Sequence, residues 1–385
     1  MSTDSRNIPA GCVFFALHGE TFDGNLFAAE ALTKGAALVV VDNEDVARSL
    51  PKDKALLVPN TLSALQELAR DWRRELGITV IGITGTNGKT TTKELTAAVL
   101  KTQYNLLYTQ GNLNNSIGVP QTVLKMTREH NLALIEMGAS HPGDITELVN
   151  VCEPDCGLIT NVGKAHLLGF GSFEGVMNTK KELYDFLRAH GGFCFRNLDN
   201  PYLAEMAGDL KTVAYHTGTM LPGTHLVGDY NSENIQAALC VGEYFGISRA
   251  EGEAAICAYV PANNRSQLLQ TERNTVVVDA YNANVTSMTA AIEAFTGDTL
   301  ILGDMLELGE YSAVEHQHIV DLIGRKGVTN VFLVGQEFAH TDCRYPKFPD
   351  AAALRQALTE QPLSGKIILL KGSHGIHLEQ LIDIL

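Results

Sequence analysis

Ten residues constrain this chain more than any others. Gly82-Ile83-Thr84-Gly85-Thr86-Asn87-Gly88-Lys89-Thr90-Thr91 begins inside the β-branched run Thr79–Thr84 and leads into Lys89–Leu100, where Leu95, Val99 and Leu100 recur at helical spacing. A strand, a glycine turn and a helix in that order are the setting of a phosphate-binding loop. Glycines let backbone N–H groups approach phosphate oxygens, and the helix start adds partial positive charge. Lys89 is placed to reach β- and γ-phosphates, and the Thr90 hydroxyl to bind Mg²⁺. Gly85, Thr86, Asn87, Gly88, Lys89, Thr90 and Thr91 are therefore the candidate nucleotide contacts. The strict pattern sets four residues between its glycines; here Thr86 and Asn87 alone separate Gly85 from Gly88, so the loop is a variant. A purely structural glycine turn would not need Lys-Thr-Thr at the helix start.

The segments around this loop alternate between strand-like and helix-like. Leu132–Glu136 and residues 157–160 read as buried strands, and 172–188 and 232–245 as helices. Later come Thr275–Asp279, 299–302, Asn330–Val334 and 366–370, each a short apolar run between helical patterns. This is an α/β chain of parallel sheets covered by helices. Its 385 residues suit two or three domains. A charged helical stretch, 64–76, ends at Gly77, and the turn-rich 260–265 precedes a new strand–helix series. The expected domains are 1–76, 77–261 and 262–385.

Composition removes several function classes. Lys and Arg number 29 against 44 Asp and Glu, which argues against a general nucleic-acid binder. No apolar run approaches the roughly 18 residues of a membrane helix, and MSTDSRNIPAG has no signal-peptide core. The seven cysteines are scattered, and Cys152 and Cys156 have no second pair nearby, so reduced thiols are expected rather than zinc or disulfides. The expectation is a soluble, cytoplasmic protein that binds no nucleic acid and enters no membrane, with a monomer as the default.

Several polar residues stand at predicted strand ends, where open α/β sheets build their sites. Glu136 closes its strand with a hard carboxylate suited to Mg²⁺. Arg265 lies in the second boundary, where a guanidinium can contact ribose or phosphate. Asp279, Asn282, Asn284 and Lys371 follow the later strands, as do Asp304 and His316 nearby. Each alone could cap a loop; together they favour substrate binding.

The string TGTNGKTTT resembles the Mur ligase superfamily, which joins a carboxylate to an amine at the expense of ATP. TDSRNIPAGCVFFALHGETFDGNLFAAEALTKGA, GNLNNSIGVPQTVL, IEMGASHPGDI, ITNVGKAHLLGFGSFEGVMNTKKEL, DAYNANVTSM, LGDMLELGEYSAVEHQHI and LLKGSHG extend the resemblance over essentially the whole chain. It is strongest to the branch that adds D-alanyl-D-alanine to UDP-N-acetylmuramoyl-tripeptide. The resemblance implies a three-domain architecture: an N-terminal UDP-sugar domain, a central P-loop parallel-sheet domain and a Rossmann-like C-terminal domain that receives the dipeptide. It implies ATP, two Mg²⁺ sites with Thr90, Glu136, His166 and Lys180 as ligands, and carbamylation of Lys180 within NTKKEL. It places Asn231 and Asn234 of an H-N-x-x-N-x-x-A-like helix on the adenine, with Tyr230 replacing the usual His. Asp279 joins the nucleotide or its metal environment, Asn282, Asn284 and Lys371 the dipeptide, and Ser5 and Arg6 the UDP moiety. Lys89, Lys180 and His166 become the catalytic set, acting through an acyl-phosphate intermediate. Two readings stay open beside this one: another Mur-type amino-acid ligase, and a non-catalytic module that holds nucleotide or UDP-sugar.

Overall fold

Parallel pairing of short buried strands organises the chain, as a computed structural model describing residues 1–19, 21–163, 167–262 and 265–385 shows. Strands β1 (Val13–Phe15), β2 (Leu38–Val41) and β3 (Ala55–Leu57) form a small sheet in that order, with Phe14 beside Val39 and Val40 beside Leu56. The second sheet contains β4 (Thr79–Thr84), β5 (Leu106–Tyr108), β6 (Leu132–Glu136), β7 (Cys156–Ile159), β8 (Phe193–Asn197) and β9 (Thr212–Tyr215). Its order is β5-β6-β4-β7-β8-β9. The third contains β10 (Gln267–Gln270), β11 (Thr275–Asp279), β12 (Thr299–Gly303), β13 (Asn330–Val334), β14 (Lys347–Phe348) and β15 (Ile367–Lys371). Here the order is β10-β11-β15-β12-β13-β14, and β10 alone runs antiparallel to its neighbour. The chain divides into two compact units, 1–82 with 105–138 and 144–155, and 83–104 with 139–143 and 156–385.

In the first unit, helix Thr61–Leu76 starts three residues before the expected 64–76, because Asn60 caps it by accepting from the Ser63 N–H. Gly77, at φ 61°, ends it by donating to the Arg73 carbonyl. Leu65 and Ala69, one turn apart, are buried. The Trp72 indole donates to the Met126 carbonyl at 2.9 Å, and Arg73 to the Glu153 carbonyl at 2.9 Å and the Asp155 carboxylate at 2.8 Å.

In the second unit, residue parity explains the third sheet. Val277, Leu300, Leu302 and Leu369 pack on one face, and Val276, Val278, Ile301, Ile368 and Leu370 on the other. Both faces are covered, so the inner strands β11, β12, β13 and β15 read as largely apolar runs. Among the described residues no helix is long and apolar enough to cross a membrane. All seven cysteines are free thiols, and burial pushes the Cys152 thiol up to about 12.

After β12, Asp304 accepts from the backbone N–H groups of Glu337 and Phe338, both at 2.9 Å. Fully buried His316 accepts from the Met305 N–H through Nε2 at 3.0 Å. Its Nδ1–H therefore donates to the Ser312 carbonyl at 2.8 Å. These two residues, expected near substrate, fix the loop that follows β12. Burial lowers the His316 pKa from 6.5 and raises that of Asp304. A depressed histidine pKa contributes stability present above the unfolded value and lost as pH falls toward the folded one. The thermal midpoint is expected to fall between about pH 7 and about pH 5, with a shallower slope in His316→Gln. Calorimetric melts across that range check this; identical slopes would contradict it.

Candidate functional site

At the end of β4 the chain turns through two glycines at positive φ, where a side chain would be strained. Gly85 has φ 142°, and a Cβ there would lie 2.0 Å from Thr160 Oγ1. Gly88 has φ 75°, and its Cβ would lie 2.4 Å from Asn234 Oδ1. The loop is clamped by the segment after β7. The N–H of Thr86 donates to the Asn161 carbonyl and that of Asn87 to Asn161 Oδ1, both at 2.9 Å. Thr160 Oγ1 donates to the Asn87 carbonyl at 2.6 Å, and the Gly163 N–H to Thr86 Oγ1 at 3.0 Å. Thr160 thus leaves the strand expected over 157–160, which runs Cys156–Ile159. Thr160 and Asn161 were not singled out in the sequence; the available signal was two polar residues directly after an apolar strand.

Helix Lys89–Leu100 begins where expected. Lys89 Nζ curls back onto the carbonyls of Gly85 at 2.7 Å and Thr86 at 3.0 Å, and Thr90 is buried in the first turn. Asn231 and Asn234 do come together, on helix Asn231–Tyr244, but their amides are engaged inside the protein. Asn234 accepts from Thr92 Oγ1 at 3.0 Å and donates to Asn231 Oδ1 at 2.9 Å. Asn231 in turn donates to the Val227 carbonyl at 2.8 Å and Ser266 Oγ at 3.3 Å. Both side chains are buried, and through these bonds they brace the phosphate loop.

Asn284 is similarly engaged. It caps helix Val285–Ala294 by accepting from the Ser287 N–H, and donates to Asn87 Oδ1 at 2.7 Å. Asp279 and Lys371 are in-register neighbours on β11 and β15, and pair at 2.5 Å. Lys371 Nζ also donates to the Asn282 carbonyl at 3.3 Å, leaving the Asn282 residue exposed. The Arg265 guanidinium lies 4.0 Å over the Tyr281 ring, which stacks on His374.

Lys180 sits on helix Phe173–Ala189, capped by Ser172. It is 2% exposed, donates to the Ala139 carbonyl at 3.4 Å and lies over the Phe170 ring. His166 falls outside the described residues. In the first unit, buried Glu136 accepts from Asn114 Nδ2 at 2.8 Å, and its N–H donates to Thr109 Oγ1. Arg6 is exposed and doubly bonded to Asp4, whose carboxyl it holds down to about 2. The Ser5 carbonyl accepts from Lys34 at 2.9 Å. Among the described residues no three His, Cys, Asp or Glu side chains gather as a ready metal site.

Three stretches match Mur ligase domain models: "Mur ligase family, catalytic domain" at 1–73, "Mur ligase middle domain" at 83–221 and "Mur ligase, glutamate ligase domain" at 264–374. The UDP-N-acetylmuramoyl-tripeptide–D-alanyl-D-alanine ligase of Bacillus subtilis is 35% identical over 99% of this chain and 92% of its own. The Escherichia coli ligase of the same name is 33% identical over 100% and 93%. A crystal structure of MurF from Acinetobacter baumannii superposes with TM-score 0.87 at 29% identity, covering 99% of this chain and 92% of that one. The Thermotoga maritima MurF ligase in complex with ADP also gives 0.87, at 25% identity and 100% and 96% coverage. The chain belongs to the MurF family of Mur ligases.

Gly85→Ala is expected to weaken MgATP binding by at least about tenfold, since a methyl at positive φ also collides with Thr160. Gly324→Ala, whose methyl meets nothing within 4 Å, should leave affinity unchanged. Titration calorimetry checks both; equal affinities would contradict the clamped-loop account.

Proposed function

We propose that this chain joins D-alanyl-D-alanine to UDP-N-acetylmuramoyl-tripeptide with ATP as the energy source. The full-length likeness to chains of that name, together with a pre-shaped phosphate loop carrying Lys89, supports the reading most strongly. Residues 1–76 would anchor the UDP-sugar, with Ser5 and Arg6 as contacts. Residues 77–261 would bind ATP, and 262–385 the incoming dipeptide.

A carboxylate is a poor electrophile, so it must first be activated. The tripeptide's terminal carboxylate oxygen attacks the γ-phosphorus, the bond to the β-phosphate bridging oxygen breaks, and ADP leaves. The dipeptide amine, as the free base, then attacks the acyl carbon; a tetrahedral intermediate expels phosphate and the nitrogen loses a proton. Negative charge spread over phosphoryl oxygens is the main thing to stabilise. The backbone N–H groups at the start of Lys89–Leu100 would face that charge, as helix N-termini do with anions. Lys89, now on two neutral carbonyls, would move to the phosphates, which are stronger acceptors. Arg265, whose guanidinium lies 4.0 Å over the Tyr281 ring, would contact ribose or phosphate. Asn282 and Lys371 are assigned to the dipeptide, and Asp279 keeps Lys371 in place.

Thr90 and Glu136 offer hard oxygen donors of the kind Mg²⁺ takes, and bound Mg²⁺ would neutralise phosphate charge. A second Mg²⁺ site would draw on His166 and Lys180. Lys180 can serve only as an anion: its amine, enclosed by Ala139 and Phe170, would add to CO₂, lose a proton and become a carbamate. We therefore expect a carbamate carbon signal in ¹³C NMR with ¹³C-bicarbonate, absent in Lys180→Arg. A signal that survives the substitution would count against Lys180 as the site.

The activity test is phosphate release with UDP-N-acetylmuramoyl-tripeptide and ATP, with and without D-alanyl-D-alanine, and the product mass. Release should require both substrates and yield the pentapeptide, and Lys89→Ala should slow it by about 10²–10³-fold. Turnover with a single amino acid instead would move the protein to a different Mur reaction. Tight nucleotide binding without any turnover would favour a binding module.

A further inference from the structure

One buried residue ties the phosphate loop to the strand ends of the third sheet. Ser266 is 3% exposed and sits at φ 47°, a left-handed backbone that a serine rarely adopts. Its hydroxyl meets the Tyr230 hydroxyl at 3.0 Å and accepts from Asn231 Nδ2 at 3.3 Å. Its N–H donates to Asp279 Oδ1 at 3.3 Å. Behind the hydroxyl lies the brace already described: Asn231 to Asn234, and Asn234 against Gly88 and Thr92. Beyond the N–H lies the Asp279–Lys371 pair. The neighbouring Gln267 bridges antiparallel to Leu226, holding the two segments side by side. Gly228, at φ 94°, makes room for the Tyr230 ring, where a Cβ would lie 2.3 Å from it. Tyr230 therefore reaches Ser266 by a shaped fit, and burial raises its phenol pKa, keeping the O–H proton.

We propose that Ser266 is a positioning residue that couples the nucleotide-loaded phosphate loop to the Asp279–Lys371 pair through the hydrogen bonds Thr92–Asn234–Asn231–Ser266–Asp279, with Asn234 packed against Gly88. The proposal rests on reading 85–91 as a nucleotide loop. The side chain of Ser266 contacts the loop's brace while its backbone contacts the strand end, so one residue senses both. Strain at a left-handed serine is consistent with a conformation held from two sides.

Hydrogen exchange with and without MgADP tests this on the full chain, independently of turnover. In the unsubstituted protein, MgADP should slow exchange at 84–91 and also at 279–284. In Ser266→Gly, which keeps the left-handed backbone at no steric cost, and in Ser266→Ala, slowing at 84–91 should persist and slowing at 279–284 should disappear. In the ligase assay both variants should lose about tenfold in kcat/KM for the dipeptide, with the KM for ATP changed less than about twofold. Persistent slowing at 279–284 in both variants overturns the proposal, as does slowing confined to 84–91 in the unsubstituted protein. So does loss of slowing at 84–91 in both variants, which would make the residue a structural support of the loop. No slowing at 84–91 in the unsubstituted protein overturns the loop reading itself, and this proposal with it.

Discussion

The contact on which the site depends is the close approach of Gly85 to Thr160. A backbone at φ 142°, against a hydroxyl that a Cβ would strike at 2.0 Å, lets the turn after β4 press onto the segment after β7. That approach aligns Thr86 and Asn87 with Asn161, which takes both their N–H groups. The loop is thereby shaped in advance of any phosphate, and less ordering is left for the ligand to impose. A preorganised set of dipoles is also what phosphoryl transfer asks for, since the developing charge finds its donors already aimed.

Much of this was legible in the sequence because apolar strands followed by glycine leave a strong local trace. β4, β6, β11 and β13 and helix Lys89–Leu100 fall where the pattern puts them. Others shift by a residue where a polar group decides the boundary. Thr160 exits its strand to bond Asn87, and Ser172 caps a helix that the periodicity began at the serine itself. The antiparallel β10 carried no such trace: its four residues lie at a half-exposed sheet edge. Pairing with β11 makes it a strand, more than its own pattern does.

Function was less legible at the level of single side chains. Residue type and position near a strand end do not say which way hydrogen-bonding capacity is used. Asn231, Asn234 and Asn284 look like ligand contacts in a sequence, yet each meets its partners within the protein. Asp304 and His316 do the same for the loop after β12. In this ligase many of the polar residues around the nucleotide loop brace it from within the protein. A buried amide is costly to leave unpaired, so such residues are tied into networks wherever the loop must not shift.

The central claim is that the loop is a preformed phosphate cradle whose lysine alone must move. A crystal structure with Mg²⁺ and a non-hydrolysable ATP analogue tests it most directly. The account predicts the phosphates against the N–H groups of residues 88–91, Lys89 Nζ displaced from the Gly85 and Thr86 carbonyls onto the β- and γ-phosphates, and the Asn161 bonds to Thr86 and Asn87 unchanged. An analogue bound elsewhere, or a loop that had to break from Asn161 to receive it, would contradict the account.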